Sequence, residues 1–291
     1  MFTNPIHSLQ IREDGLKGRR PNPMDVARKK TVPWVAVAMA LLLAACQGGS
    51  EEYVQFERAK NKWEQGSYQD AAGEFLVIVR DYPDTPLAEE SLYWTAVLYH
   101  EYLNSFSQAE EYYNQLLVRY PQGAYRAHAM EGLASLYESQ PASRHRAVLL
   151  YKKLTRDDDL ENRRDYLLLK TGKLQLELGK PPQARLEFQT LLKDFPNSAY
   201  VPQTYYLIGY SFYLEGRVNP ALVAFRQLNK EFPEDPLAPQ AVFFEADILE
   251  DQGNLRGALQ KFRSLEGHYH NSAILEKRIQ ALEKRMEKSV R

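Results

Sequence analysis

Six alanines recur at an almost fixed interval along the chain: Ala71, Ala109, Ala147, Ala184, Ala221 and Ala258, 37 or 38 residues apart. A period of that length makes each repeat one supersecondary unit stacked on its neighbours, which is a solenoid. Four residues after each alanine stands an aromatic, Phe75, Tyr113, Tyr151, Phe188, Phe225 and Phe262. Twelve residues after it, four copies carry proline (Pro83, Pro121, Pro196 and Pro233), and the third and sixth carry Asp159 and His270. Twelve or thirteen residues before it lies a second small residue, Ala59, Ala96, Ala134, Gly172, Gly209 and Ala246.

This spacing predicts two short antiparallel helices per repeat. A small residue on each lets the backbones approach, the aromatic fills the gap beside them, and proline, which cannot continue a helix, stops the second one. Glycine and polar residues fall where the first helix must turn into the second, as in Gly66-Ser67 and Gly216-Arg217. On the second helices the apolar residues keep helical spacing, as in Ala184, Phe188, Leu191 and Leu192.

Small, Ala, aromatic and Pro at these spacings resemble the tetratricopeptide repeat, whose period is about 34 residues. The three or four extra residues all follow the proline, in connectors such as Phe195-Pro196-Asn197-Ser198. The resemblance implies an all-α, right-handed superhelical solenoid of about six hairpins over residues 53–271. Residues 272–291 read as a last, capping helix, with Ile274, Ile279, Leu282 and Met286 as its apolar stripe, because the end of a solenoid needs a polar outer face.

Upstream, Arg28, Lys29 and Lys30 precede an apolar stretch from Val32 to Leu43 and then Leu43-Ala44-Ala45-Cys46. The stretch is too short to span about 30 Å of hydrocarbon and suits a secretion signal. Leu43, Ala44, Ala45 and Cys46 resemble a bacterial lipobox. The resemblance implies cleavage before Cys46, a diacylglycerol on its thiol and an N-acyl lipid on its amine. Cys46 is the single cysteine of the chain. Gln47, which is not aspartate, implies sorting to the outer membrane, with the protein facing the periplasm. Residues 1–45 are then the signal region, its true start at Met24 or at Met1, and 46–52 the lipidated N-terminus and a short tether. A six-residue flexible segment reaches about 13 Å.

Of the 37 Lys and Arg and the 38 Asp and Glu, seven and three fall in residues 1–45, leaving 30 against 35 beyond. A mildly acidic chain without a basic stripe argues against nucleic acid as a partner. There is no second cysteine, no glycine-rich phosphate loop, no His-Glu-x-x-His and no Gly-x-Ser-x-Gly. No metal, cofactor or catalytic constellation is expected, and no enzyme. His268 and His270 read as connector residues, and Asp157, Asp158 and Asp159 as a solvated loop.

In the tetratricopeptide family the first helix of each hairpin lines the concave face. Carried over by register, the resemblance puts Tyr93, His100, Glu131, Glu138, Tyr206, Tyr210, Tyr213, Phe243, Asp247 and Glu250 in a partner-binding groove. Tyrosines supply wide contact area with a polar tip.

The lipobox, followed closely by Phe56-Glu57-Arg58-Ala59, Gly66-Ser67-Tyr68-Gln69-Asp70-Ala71 and Asp81-Tyr82-Pro83-Asp84-Thr85, resembles the start of BamD-type lipoproteins of the β-barrel assembly machinery. That implies a non-enzymatic scaffold whose partners are a BamA-like barrel assembly protein and unfolded outer-membrane proteins. The chain departs from the type with six repeats instead of five, and with Leu116-Leu117-Val118-Arg119-Tyr120 where an Arg-Phe-Ile-Arg-like stretch is usual. A different envelope scaffold, a Tol-Pal coordinator or a pilus or secretion pilotin, is the alternative.

Overall fold

The computed structural model describes residues 50–290. The signal region, the lipobox and Cys46 lie outside the described residues. The chain divides into two units at Val54, and the larger, Gln55–Arg291, carries the repeats.

Thirteen α-helices and no strands make up the described residues. Six antiparallel pairs follow one another: α1 (Glu51–Glu64) with α2 (Tyr68–Asp81), α3 (Pro86–Val97) with α4 (Phe106–Arg119), and α5 (Arg126–Glu138) with α6 (Arg144–Leu154). Next come α7 (Arg164–Glu177) with α8 (Pro181–Asp194), α9 (Val201–Leu214) with α10 (Val218–Glu231), and α11 (Ala238–Asp251) with α12 (Leu255–Arg263). A single long helix, α13 (Ser272–Val290), ends the series.

The repeat signature is the core. All six repeat alanines are fully buried, and the six aromatics four residues on are at most 2 % exposed. Why the first helix needs a small residue is visible at Gly172 and Gly209. A Cβ there would lie 2.3 Å from the Phe188 ring and 2.6 Å from the Phe225 ring. The aromatic of the second helix therefore occupies the space a side chain on the first would take. The prolines stand just past the helix ends, each after an aromatic cap whose N–H closes the last turn, as Phe232 does on the Leu228 carbonyl at 2.8 Å.

The turn between paired helices explains the spacing of twelve or thirteen. Five residues before the repeat alanine the backbone enters the left-handed region: Gly66, Gly179, Gly216 and Gly253 have φ of 68° to 79°. The residue after each glycine donates its N–H back across the turn, as Arg217 does to the Phe212 carbonyl at 2.9 Å, a Schellman closure. These are the hairpins with a spacing of twelve. The second and third hairpins have one residue more, and each absorbs it irregularly. In the second, α3 runs into a π-helical turn, Leu98–Tyr102, and Asn104 takes the left-handed position with φ 49°. In the third, a 3-10 turn at Pro141–Ser143 replaces the glycine.

Successive hairpins are tied at their connectors. The Glu89 carboxylate accepts from the backbone N–H groups of Ala124 and Tyr125, at 3.2 and 2.6 Å, so α3 holds the start of α5. Asp165 does the same for the next connector but one, accepting from the Ser198 hydroxyl at 2.6 Å.

Two expectations need correcting. The buried stripe of α13 is Leu275, Ile279 and Leu282, whereas Ile274 is exposed, because the helix begins at Ser272 and its inward face starts one residue later. The second is the solvated loop at Asp157 to Asp159: Asp157 is half-buried and ion-paired with Arg126, and the backbone of Asp158–Arg163 is 3-10 helical with a kink at Leu160.

Candidate partner-binding groove

The ten residues assigned to the groove divide into two sets. Tyr93, His100, Glu131 and Glu138, on the second and third hairpins, are half-buried and present polar atoms. On the fifth and sixth hairpins, neighbouring helices cover most of the assigned residues.

Tyr206 is only 1 % exposed, its ring 6.1 Å from those of Phe225 and Phe244 and 6.4 Å from that of Tyr210, and its hydroxyl has no hydrogen-bond partner. Tyr210 is buried beside it, and Tyr213 is half-buried, edge-on to Phe244 at 4.9 Å. Phe243 lies between Phe262 and a stacked Tyr269, at 5.1 and 4.8 Å. Tyr206, Tyr210 and Phe243 are therefore packing residues and not groove residues.

Asp247 and Glu250 are occupied as well. Arg278 of α13 is ion-paired with Asp247 and reaches Glu250 at 3.5 Å, and Arg285 pairs with Glu250. The cap helix packs on the last pair through Leu275, Ile279 and Leu282, so the positions that would face a ligand face α13 instead. A periodic sequence rule could not see this, because it treats every hairpin as if the same neighbours flanked it.

What stays accessible is a run of aromatic rings and ion pairs across the second to fifth hairpins. Tyr93 of α3 lies 5.1 Å from Tyr125 and 6.1 Å from His128 at the start of α5. One turn on, Glu131 takes both terminal nitrogens of Arg163, at 2.6 and 2.5 Å, the paired geometry that suits a guanidinium. Arg163 also lies over the Tyr166 ring at 5.6 Å, and Tyr166 faces Tyr200 at 6.0 Å. Further along the same face, Glu138 accepts from Lys170 at 2.8 Å and from the Tyr151 hydroxyl at 2.9 Å. His100 is within 3.4 Å of the Tyr113 hydroxyl.

Burial sets the charge states here. It pushes the Tyr93 phenol up to about 12, with the Glu131 carboxylate adding to the shift, so Tyr93 is a neutral donor at any physiological pH. Burial holds His128 below its usual value although Glu131 opposes this, which keeps the imidazole neutral. For Arg163 burial works against the charge, and Glu131 outweighs it and raises the guanidinium. The surface thus offers flat neutral rings between internally balanced charges, suited to burying apolar and peptide groups rather than to capturing an ion.

Tyr125, His128, Arg163, Tyr166 and Tyr200 complete this surface, and the repeat register does not mark them. They stand at or just before the start of α5, α7 and α9, six or more residues ahead of the small residue, beyond the turn of helix that the register places in the groove. Among the described residues, no group of three or more His, Cys, Asp or Glu could hold a metal ion, and no helix is long and apolar enough to cross a membrane.

Tetratricopeptide-repeat family profiles match residues 56–124, 166–198 and 203–235. No curated protein matches the chain in sequence. Among solved structures, a tetratricopeptide repeat protein from Parabacteroides merdae is 15 % identical, with a TM-score of 0.52 over 80 % of this chain and 99 % of that one. The C-terminal part of a repeat-containing protein from Cytophaga hutchinsonii is 15 % identical, with a TM-score of 0.54 over 72 % of this chain and 77 % of that one. A chain in the structure of Naa15/Naa10 bound to HypK is 14 % identical, with a TM-score of 0.52 over 82 % of this chain and 35 % of that one. At such identities the likeness is one of fold. The chain carries tetratricopeptide repeats, and its hairpins stack as an all-α solenoid of that fold.

Proposed function

We propose that the protein is a non-enzymatic scaffold, anchored by lipid at Cys46 to the periplasmic side of the outer membrane, that holds protein partners during the assembly of outer-membrane proteins. The observation that carries the binding role is the run of half-buried rings from Tyr93 to Tyr200 on the first-helix face of a tetratricopeptide solenoid. Rings of this kind, amphipathic and already held in place, lose little entropy on binding. The anchor and the compartment rest on Leu43-Ala44-Ala45-Cys46 and Gln47, and the assembly role on the resemblance to BamD-type lipoproteins.

Two outcomes test this. With Cys46→Ala, the protein moves from the membrane fraction to the soluble fraction with its helix content unchanged, since a lipid anchor stronger than one acyl chain is removed and the solenoid is not touched. Tight membrane association of that variant, resistant to high salt, ends the anchor assignment. For the partner, the lipidated protein is purified from detergent-solubilised membranes and its companions are identified by mass spectrometry. A BamA-like barrel protein is expected in stoichiometric amount, and Tyr93→Ala lowers its affinity about tenfold, roughly 1.4 kcal/mol. Recovery of Tol-Pal, pilus or cell-wall components without an assembly barrel refutes the assembly role and leaves the scaffold.

A further inference from the structure

The outer face of the solenoid, formed by the second helices, carries a regularity of its own. Two residues after the repeat alanine, the third, fourth and fifth hairpins place Leu149, Leu186 and Val223, which are 67, 64 and 66 % exposed. The same position holds Gly73, Glu111 and Gln260 in the other hairpins, so the apolar row is confined to three consecutive units. Seven residues further along the chain stand Arg156, Lys193 and Lys230, all exposed; Lys193 and Lys230 lie two turns on and hence on the same side of α8 and α10, and Arg156 lies in the turn just past the end of α6. A basic residue at a helix C-terminus complements the dipole, which accounts for that row. It does not account for branched apolar side chains left in water on three successive hairpins.

At the third hairpin the two rows border a cleft. It has a volume of about 440 Å³ and is lined by Arg126, Leu149, Lys152, Lys153, Arg156 and Asp157. Asp157 is taken by Arg126, and Lys152 by Glu187 at 2.8 Å. Lys153 and Arg156 remain exposed beside Leu149. Along α6, α8 and α10, with Arg156 just past α6, the exposed charges are Arg146, Lys153, Arg156, Lys193, Arg226 and Lys230 against Asp194 and Glu231; Arg146 pairs with Glu110 at 2.8 Å and Arg226 lies 3.6 Å from Glu245, which leaves Lys153, Arg156, Lys193 and Lys230. This excess of positive charge stands on a chain that is acidic beyond residue 45, so it is a local property.

We infer that the outer face of the third to fifth hairpins is a second docking surface, distinct from the first-helix groove, for an acidic amphipathic segment of a partner protein. Its apolar side would cover Leu149, Leu186 and Val223, and its carboxylates would face Arg156, Lys193 and Lys230. Charge complementarity selects an acidic partner, and the apolar row selects one with a nonpolar stripe. A scaffold with two faces can hold two partners at once.

The test uses the full chain and a short fluorescein-labelled amphipathic peptide made only of Glu and Leu, followed by fluorescence anisotropy. Saturable binding that weakens as salt is added is expected. It falls at least about tenfold in the triple variant Leu149→Glu, Leu186→Glu, Val223→Glu, and likewise in Arg156→Glu, Lys193→Glu, Lys230→Glu. Circular dichroism checks that the helices persist, and Leu186→Glu alone replaces any triple variant that loses them. Tyr93→Ala binds the peptide as the unmodified protein does, which separates this surface from the groove. No binding, equal binding by the variants, or equal binding of a Lys/Leu peptide overturns the inference. So does attachment to phosphatidylglycerol vesicles, or self-association in sedimentation, that the triple variants abolish while peptide binding is absent. Those two results would assign the face to a lipid surface or to a second copy.

Discussion

Removal of residues 272–291 is expected to unfold the last hairpin and leave a protein that aggregates on purification. The cap buries Leu275, Ile279 and Leu282 against Phe243, Ala246, Ala258 and Phe262. Each such side chain contributes about 1.5–3 kcal/mol, so the loss is about 5–9 kcal/mol as an upper bound. It also strips Asp247 and Glu250, both largely buried, of their arginines. Because coupling in a solenoid passes between neighbours, the damage should be graded: amide exchange accelerates most in α11 and α12 and least in α1 and α2. Unchanged thermal unfolding and solubility after truncation would show that the sixth hairpin supports itself.

The second large effect is expected at Phe225, which is fully buried against Gly209 of its own hairpin and stacks on Phe244 of the next at 5.4 Å. Phe225→Ala should cost about 3–5 kcal/mol, as a cavity opens at the junction of two hairpins. Gly209→Leu, by contrast, overfills the same place and should cost about 1–3 kcal/mol. The two share one volume, so the double variant should be more stable than the summed losses predict, by more than the roughly 0.5 kcal/mol of ordinary scatter between independent sites. Simple additivity in denaturant unfolding would contradict the pairing of small residue and aromatic on which the repeat register rests.

That register is the part of the protein most legible in the amino-acid sequence. Ala71 and its five counterparts, their aromatics and the stopping prolines act within one hairpin or between adjacent ones, and the same contact is repeated six times. Even the alternation between twelve and thirteen residues has a local structural reason, in the π-helical turn after α3 and the 3-10 turn before α6. The candidate site was less legible. Tyr93, Glu131 and Glu138 lie on the accessible first-helix face, but their partners Tyr125, Arg163 and Lys170 come from positions that no repeat rule marks. Tyr206 and Phe243 share the register of Tyr93 and Glu131, three residues before the small residue, and are nevertheless covered.

The sequence by itself determined the helices, their pairing, the turn glycines and the number of hairpins, because these depend on interactions within a repeat, and helical periodicity and backbone sterics report them directly. Only the tertiary structure decided which first-helix residues remain open and that α13 closes the sixth hairpin by taking the charges of Asp247 and Glu250. It also decided which side of α13 packs, Leu275 being inward and Ile274 outward. The physical reason is that exposure belongs to a residue's neighbours: a helix at the end of a solenoid, or beside a bulky ring, is covered by what stacks on it, and equal spacing along the chain carries no record of that.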